Sequence, residues 1–446
     1  MDSHLLARAA AAGAFVRARR ARALLGSRRQ TGARRRNRRR RSAWGQSARL
    51  RSGGAAHGGG AGDGGLRARA RMVERYPSAA RLESVDAMVE FGEGLPTDDA
   101  TQLFHAVSAG RPTHPEAAVL IPTYRRPAYL ERCLRSVLRQ TRRPRCIVVV
   151  VRDEDEASIT LVQRFRDEML GAPRAERVLS GSQVEIRMVS VALPGPVWAF
   201  KQGVEALRTR EDVELVFIID DDAEAEPEWI ERGSRHFADP TVGIVAGRII
   251  PYKNGAPVDL PPVKRVGAIT WYGRYIGGFE QPGGVRAPVP VAGFQGGNVA
   301  IRRAVLERIT VDPHFIGYGI QFELDIAFQV RRLGYHILFD PECRVHHFEA
   351  PRAVREEARE DIRRLIYTYS HNHTYLMLKH LSPFGKLAFL LYFFVLGEQR
   401  SLGLLTALWE ALRAPRRSWG EALRLSLAGK WQGLRTYWRW RAATRR

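Results

Sequence analysis

The sequence predicts an α/β fold with a mostly parallel, Rossmann-like sheet, followed by a helical C-terminal region. Three observations carry this. Short β-branched runs alternate with segments of helical periodicity from residue 117 onward. Ile147–Val151 is almost purely β-branched, as a strand buried on both faces requires. The apolar run Leu215–Ile219 ends abruptly in Asp220, Asp221 and Asp222, at the carboxyl end of a strand, where open α/β sheets bind their ligands.

Ala117–Ile121 reads as the first strand, stopping at Pro122-Thr123-Tyr124-Arg125-Arg126-Pro127. Pro127 is a natural first helical residue, and Tyr129, Leu130, Cys133, Leu134, Val137 and Leu138 follow at helical spacing. The strand Ile147–Val151 ends in Asp153, Glu154 and Asp155, and a helical pattern runs on through Leu161, Phe165 and Met169. Val184–Val191 reads as a third strand. Gly195-Pro196 then opens a helix through Trp198, Phe200, Lys201 and Val204. Residues 252–293 hold Pro, Gly and aromatics without a regular period, and a long loop of this kind is usually functional.

The expected organisation is a disordered Arg-rich segment at 1–71, a lead-in at 72–113, an α/β domain at 114–350 and a helical region at 351–446. Of the net charge of +24, residues 1–71 carry +17, with 19 Arg, no Lys and two acids. That composition builds no core. Four readings of it are open: a nucleic-acid-binding arm, a transit peptide, a twin-Arg export signal at Arg19-Arg20, or upstream sequence ahead of a true start at Met72. The last is favoured. Aromatic residues between the basic ones are nearly absent (Phe15, Trp44), so nucleic acid is not the expected partner. Cys133, Cys146 and Cys343 are odd in number and lack metal-ligand spacing. They read as buried reduced thiols of a cytoplasmic protein.

Three adjacent carboxylates repel one another, and a hard divalent cation, Mn2+ or Mg2+, would offset that repulsion with oxygen ligands. The competing reading is an acidic turn ahead of the helix that Pro227 and Trp229 begin. The order of motifs then adds weight. Ile121-Pro-Thr-Tyr-Arg-Arg126, a strand ending at Asp153, Gly195-Pro196 before a helix, and Ile219-Asp-Asp-Asp222 resemble the inverting family 2 glycosyltransferases of GT-A fold. Further on, Gly296-Gly297-Asn298 resembles that family's acceptor-side segment. Phe322-Glu-Leu-Asp-Ile326 with Arg332-Leu-Gly-Tyr335 resembles its acidic helix, and Arg344-Val-His-His347 its final histidine.

The resemblance implies transfer of a sugar from a nucleotide-diphosphate sugar (UDP, GDP or dTDP) to a saccharide or lipid-linked acceptor, with inversion. It implies that Pro122, Thr123, Arg125, Asp153, Lys201, Asp220 and Asp221 meet the donor. Asp222 and His346 would hold the metal, with His347 the alternative to His346. Gly297 and Asn298 would lie on the acceptor side, where the 252–293 loop is expected to act as a lid with Trp271 or Tyr272 stacking on sugar. Glu323 is the expected general base, in a place where the family usually has Asp. Asp325 is the alternative; residues i and i+2 do not share a helix face, so at most one of them faces the reaction. The rival functional class is a catalytically inactive relative or an Arg-rich nucleic-acid binder.

After Pro351 the sequence turns helical. Leu387–Leu396 is a ten-residue apolar run, too short to span a bilayer, which needs about 20 residues. Trp419, Trp431, Trp438 and Trp440 interleave with Arg416, Arg417, Arg435, Arg439 and Arg441, a composition suited to a membrane interface. Peripheral contact with the inner face of the cell membrane is the expectation.

Overall fold

A computed structural model describes residues 115–171, 184–281, 283–350, 361–413 and 419–444. The expectations for 1–71 and 72–113 lie outside the described residues. The strands are β1 (Ala117–Thr123), β2 (Cys146–Arg152), β3 (Glu185–Val191), β4 (Leu215–Ile219), β5 (Ala223–Ala225), β6 (Val242–Lys253), β7 (Asn298–Arg302) and β8 (His336–His347). In the main sheet they stand in the order β8-β6-β7-β4-β1-β2-β3, with the short strand Val289–Pro290 outside β8. β3, β2, β1 and β4 run parallel. β7 runs antiparallel to β4 and to β6, and β8 is parallel to β6.

Between these strands lie α1 (Pro127–Leu138), α2 (Glu156–Gly171), α3 (Pro196–Arg208) and α4 (Trp229–Arg235), and α5 (Phe322–Arg332) precedes β8. The central strands are buried on both faces because alternate residues serve two cores. Ala118, Leu120, Cys146, Val148 and Val150 enter one; Ala117, Val119, Ile121, Ile147, Val149 and Val151 enter the other. This is the period-2 geometry of a strand, with each Val or Ile contributing roughly 1.5–3 kcal/mol. The three cysteines are buried and free.

The residues after 350 form α6 (Ile362–His380), α7 (Pro383–Leu391), α8 (Leu404–Arg413) and α9 (Trp419–Thr444). Asp361 caps α6 by accepting from the Arg363 and Arg364 backbone N–H groups, and Ser382 caps α7 through Gly385 N–H. α6 carries a buried polar face that grips the segment ahead of and within α5. Its Asn372 Nδ2 donates to the carbonyls of Ile316 and Ile320, and His373 Nδ1 lies 3.0 Å from Gln321 Oε1. Lys379 Nζ sits 2.6 Å from Asp312 and 2.8 Å from Asp325, and His380 Nε2 sits 2.6 Å from Asp325. Gln321 itself adopts φ 77°, a left-handed conformation ahead of the helix, held by these contacts.

Burial alone would raise the Asp312 carboxyl, but Lys379 and a hydrogen bond from Tyr375 outweigh it and hold Asp312 down at about 2. Its share of stability is therefore full above about pH 4 and is lost as the pH falls toward 2. Lys379→Met would leave two buried carboxylates without their shared cation. It is expected to lower stability by about 3–5 kcal/mol, read as a fall in the thermal midpoint at neutral pH that narrows below pH 4.

Candidate functional site

The carboxyl ends of β1, β4 and β8 converge with the start of β7. β4 ends at Ile219, which pairs with Asn298, so Gly296 and Gly297 lie beside Asp220. β5 follows immediately and pairs with the end of β8, setting His347 opposite Ala223. This brings the β4 acids, the last residue of β8 and the α5 acid Glu323 to one edge of the sheet.

The three aspartates take different roles. Asp221 is fully buried and turned inward: Thr123 Oγ1 donates to its Oδ2 at 2.7 Å, and Arg126 Nη2 lies 2.6 Å from its Oδ1. Burial pushes its carboxyl up to about 7 against the pull of Arg126, with Asp222 adding repulsion. Asp222 accepts from Arg126 Nη1 (2.8 Å) and from the Ala350 backbone N–H (3.0 Å) on Oδ2, leaving Oδ1 3.1 Å from His347 Nε2. Burial opposes its ionisation too, but His347, Arg126 and the Ala350 N–H together hold it well below the usual carboxylate range. Asp220 is the open member, with its side chain 41% exposed and Oδ2 4.0 Å from His347 Nε2.

Asp220, Asp222 and His347 each offer one ligand atom, all within 4.8 Å of one another. Two carboxylate oxygens and one imidazole nitrogen form a donor set that a hard divalent ion accepts. One guanidinium against three carboxylates also leaves surplus negative charge for such an ion to neutralise. The residues therefore fit a metal, with Arg126 supporting Asp222 from behind.

Glu323 stands on the other side of the Gly296-Gly297 peptide. A Cβ on Gly297 would lie 2.5 Å from Asp220 Oδ2, and one on Gly296 would lie 3.1 Å from Glu323 Oε1. Only glycines let the two acids approach the same stretch of backbone so closely. Tyr275 borders Glu323, and burial together with that carboxylate raises its phenol.

Several expected site residues are placed elsewhere by the structure. His346 is not with the acids. Side chains alternate along a strand, so His347 faces Asp222 while His346 turns toward Glu226 (3.7 Å) and sits edge-on to Tyr252. Asp325 is 1% exposed and committed to Lys379, His380 and Gln329, which rules it out as the base. Asn298 is no acceptor contact. Its Oδ1 accepts from Trp229 Nε1 and its Nδ2 donates to the carbonyls of Arg248 and Cys343, so it ties β7 to β6, β8 and α4. Asp221 and Thr123 bind each other rather than facing the opening.

Of the remaining donor-side residues, Pro122 sits in β1 beside the acids, and Asp153 is exposed just past the end of β2. Arg125 is exposed with φ 52°, its backbone N–H donating to Asp155, which also caps α2 through Ser158 N–H. Lys201 rests 5.3 Å over the ring of Trp198 on its own helix, and no ion pair joins it to the acidic cluster among the described residues. Trp271 is exposed and stacks on Phe384, while Tyr272 meets Tyr392 edge-on. Arg126 is the residue that motif reading missed. The signal was a run of acids at the end of a buried strand, which needs a nearby cation.

Residues 118–310 match the family model described as glycosyl transferase family 2. No curated protein matches the chain. Among solved structures the chain is similar to the mannosyltransferase PcManGT from Pyrobaculum calidifontis, in complex with GDP-Man and Mn2+. The identity is 18%, over 72% of this chain and 87% of that one, with a TM-score of 0.40. It is also similar to GalNAc-T7 with UDP, GalNAc and Mn2+, at 15% identity over 64% of this chain and 56% of that one, with a TM-score of 0.42.

The geometry separates the two histidines experimentally. Mn2+ is expected to raise the thermal midpoint of the unsubstituted protein. His347→Ala should weaken that response at least about tenfold in apparent affinity, ~1.4 kcal/mol, whereas His346→Ala should leave it intact. The reverse pattern would show that the metal sits elsewhere.

Proposed function

From the premise that residues 118–310 match glycosyl transferase family 2, we propose that this chain moves a sugar from a nucleotide-diphosphate sugar to an acceptor hydroxyl with inversion. The observation that carries the reading is the pairing of a metal-competent cluster, Asp220, Asp222 and His347, with Glu323 across two glycines. The two glycines carry no side chain that would separate the two acids.

Bound there, Mn2+ or Mg2+ would act as a Lewis acid toward the departing diphosphate. The chain's own residues do the rest. Asp222 and His347 hold their donor atoms toward the site, and Arg126 with the Ala350 N–H keeps Asp222 ionised. Asp220, the exposed acid, is placed to orient the donor. Glu323 comes from a different element and takes the acceptor proton as general base. The acceptor oxygen attacks the anomeric carbon as the bond from that carbon to the diphosphate oxygen breaks. The proton ends on Glu323, and the nucleoside diphosphate leaves. Attack opposite the leaving group inverts the centre. The donor nucleotide is UDP, GDP or dTDP, and the acceptor a saccharide or lipid-linked saccharide.

Donor hydrolysis and transfer across a panel of UDP-, GDP- and dTDP-sugars tests this. Glu323→Gln is expected to lower kcat by about 10²–10⁴-fold while nucleotide-dependent thermal stabilisation is kept. Asp222→Ala is expected to abolish turnover in a protein that stays folded. Full transfer in either variant, or turnover of no sugar nucleotide by the unsubstituted protein, would refute the assignment.

A further inference from the structure

Two of the C-terminal helices each leave an apolar face uncovered. On α7, Phe384, Leu387 and Leu391 are 57–71% exposed at positions i, i+3 and i+7. On α8, Leu404, Leu405, Leu408, Trp409 and Leu412 are 48–73% exposed at i, i+1, i+4, i+5 and i+8. Each set lies along one face of its helix. The other faces are anchored in the molecule through Phe389 and Ala407. Soluble monomers rarely leave apolar patches this extensive without a use for them.

Length and charge say what covers it. α7 has nine residues and continues into a five-residue π-helical turn, Tyr392–Leu396, and α8 has ten. Both fall short of the about 20 residues that crossing a bilayer requires, and no described helix is long and apolar enough to cross one. Short helices with an outward apolar face suit the plane of a bilayer interface. Residues 381–446 hold twelve Lys and Arg against three Glu. Glu398 is turned onto the hydroxyls of Tyr369 and Tyr392, and Lys430 is buried with its Nζ donating to the carbonyls of Phe393 and Leu402, which leaves eleven basic residues against two acids. A second copy of the chain would bring the same positive charge to the contact, whereas an anionic lipid surface complements it.

The face also continues into the acceptor side. Trp271, 53% exposed, stacks on Phe384 with ring centroids 5.6 Å apart and an 11° tilt. Tyr272 meets Tyr392 at 4.9 Å. Trp271 and Tyr272 sit at the tip of a hairpin whose strands are Ala268–Ile269 and Tyr275–Ile276. Tyr275, the first residue of its second strand, and Leu324 both crowd Gly293, where a Cβ would lie 3.1 and 2.5 Å from them. Leu324 is the neighbour of Glu323, so one short hairpin connects the outward face to the candidate base.

We propose that this face docks on an anionic lipid bilayer. Resting on the transfer reading above, it follows that the acceptor hydroxyl belongs to a lipid-anchored molecule presented at that surface. The test is co-sedimentation of the full chain with vesicles of phosphatidylcholine and phosphatidylglycerol, compared with phosphatidylcholine alone. The unsubstituted protein is set against the triple variant Leu387→Glu, Leu405→Glu, Leu408→Glu. Both proteins carry the Arg-rich N-terminal segment, so their difference reads the helical face. The unsubstituted protein should sediment with the anionic vesicles and less with the neutral ones. The variant should bind the anionic vesicles at least about tenfold more weakly, with an unchanged thermal midpoint and an unchanged response to nucleoside diphosphate and Mn2+. Equal sedimentation of the two proteins overturns the proposal. So does self-association of the unsubstituted protein, lost in the variant, with no vesicle binding. Vesicle binding that follows the face while no nucleoside diphosphate stabilises either protein would leave the docking standing and sink the transfer reading.

Discussion

The structure depends on how three carboxylates are accommodated at the end of one buried strand. Asp220, Asp221 and Asp222 follow β4 without a break, and two of them leave water. The bridge from Arg126 to Asp221 and Asp222 makes this tolerable, because a buried carboxylate without a partner is strongly destabilising. The bridge also divides the work. Asp221 becomes part of the frame, bound to β1 through Thr123, while Asp222 is left with one oxygen directed at His347. Parallel strands meeting at their carboxyl ends make such a concentration of acids possible, and the chemistry proposed for the site uses the charge that Arg126 leaves uncompensated.

The second half of the site is held from the C-terminal side. Glu323 sits on the first turn of α5, and that turn is positioned by α6 rather than by the sheet alone. Asn372 occupies the carbonyls ahead of the helix, His373 holds Gln321, and Lys379 with His380 consumes Asp325. Two acids two residues apart are thereby sorted: one is locked into an ion-pair network and the other faces the Gly296-Gly297 peptide. The polar interior of α6 is the cost of fixing that orientation. The same C-terminal helices carry the exposed apolar residues of α7 and α8, so the placement of Glu323 and those apolar faces rest on one region of the chain.

Much of this was legible in the sequence. Strand periodicity located the parallel core within a residue or two, because Val and Ile in unbroken runs leave few alternatives to a doubly buried strand. The acidic end of Leu215–Ile219 and the helix beginning at Phe322 were readable from composition and spacing. What escaped was side-chain direction. His346 and His347 are equivalent in a motif and opposite on a strand, so the register of β8 against β5 decides between them. Asn298 looked available because nothing in the sequence announces Trp229 Nε1 and two distant carbonyls as its partners. Arg126 looked like one more basic residue in an Arg-rich chain, since its partners lie 95 and 96 positions away along the sequence. Local patterns carry elements; long-range pairing carries roles.

Calorimetric titration of UDP, GDP and dTDP into the protein, with Mn2+ present and with the metal removed by a chelator, tests the central claim most directly. If the acids at the end of β4 exist to set a divalent ion against a diphosphate, one of these nucleotides binds with the ion and loses most of its affinity without it. Equal binding in the two conditions, or no binding of any of the three in the presence of Mn2+, would contradict the account.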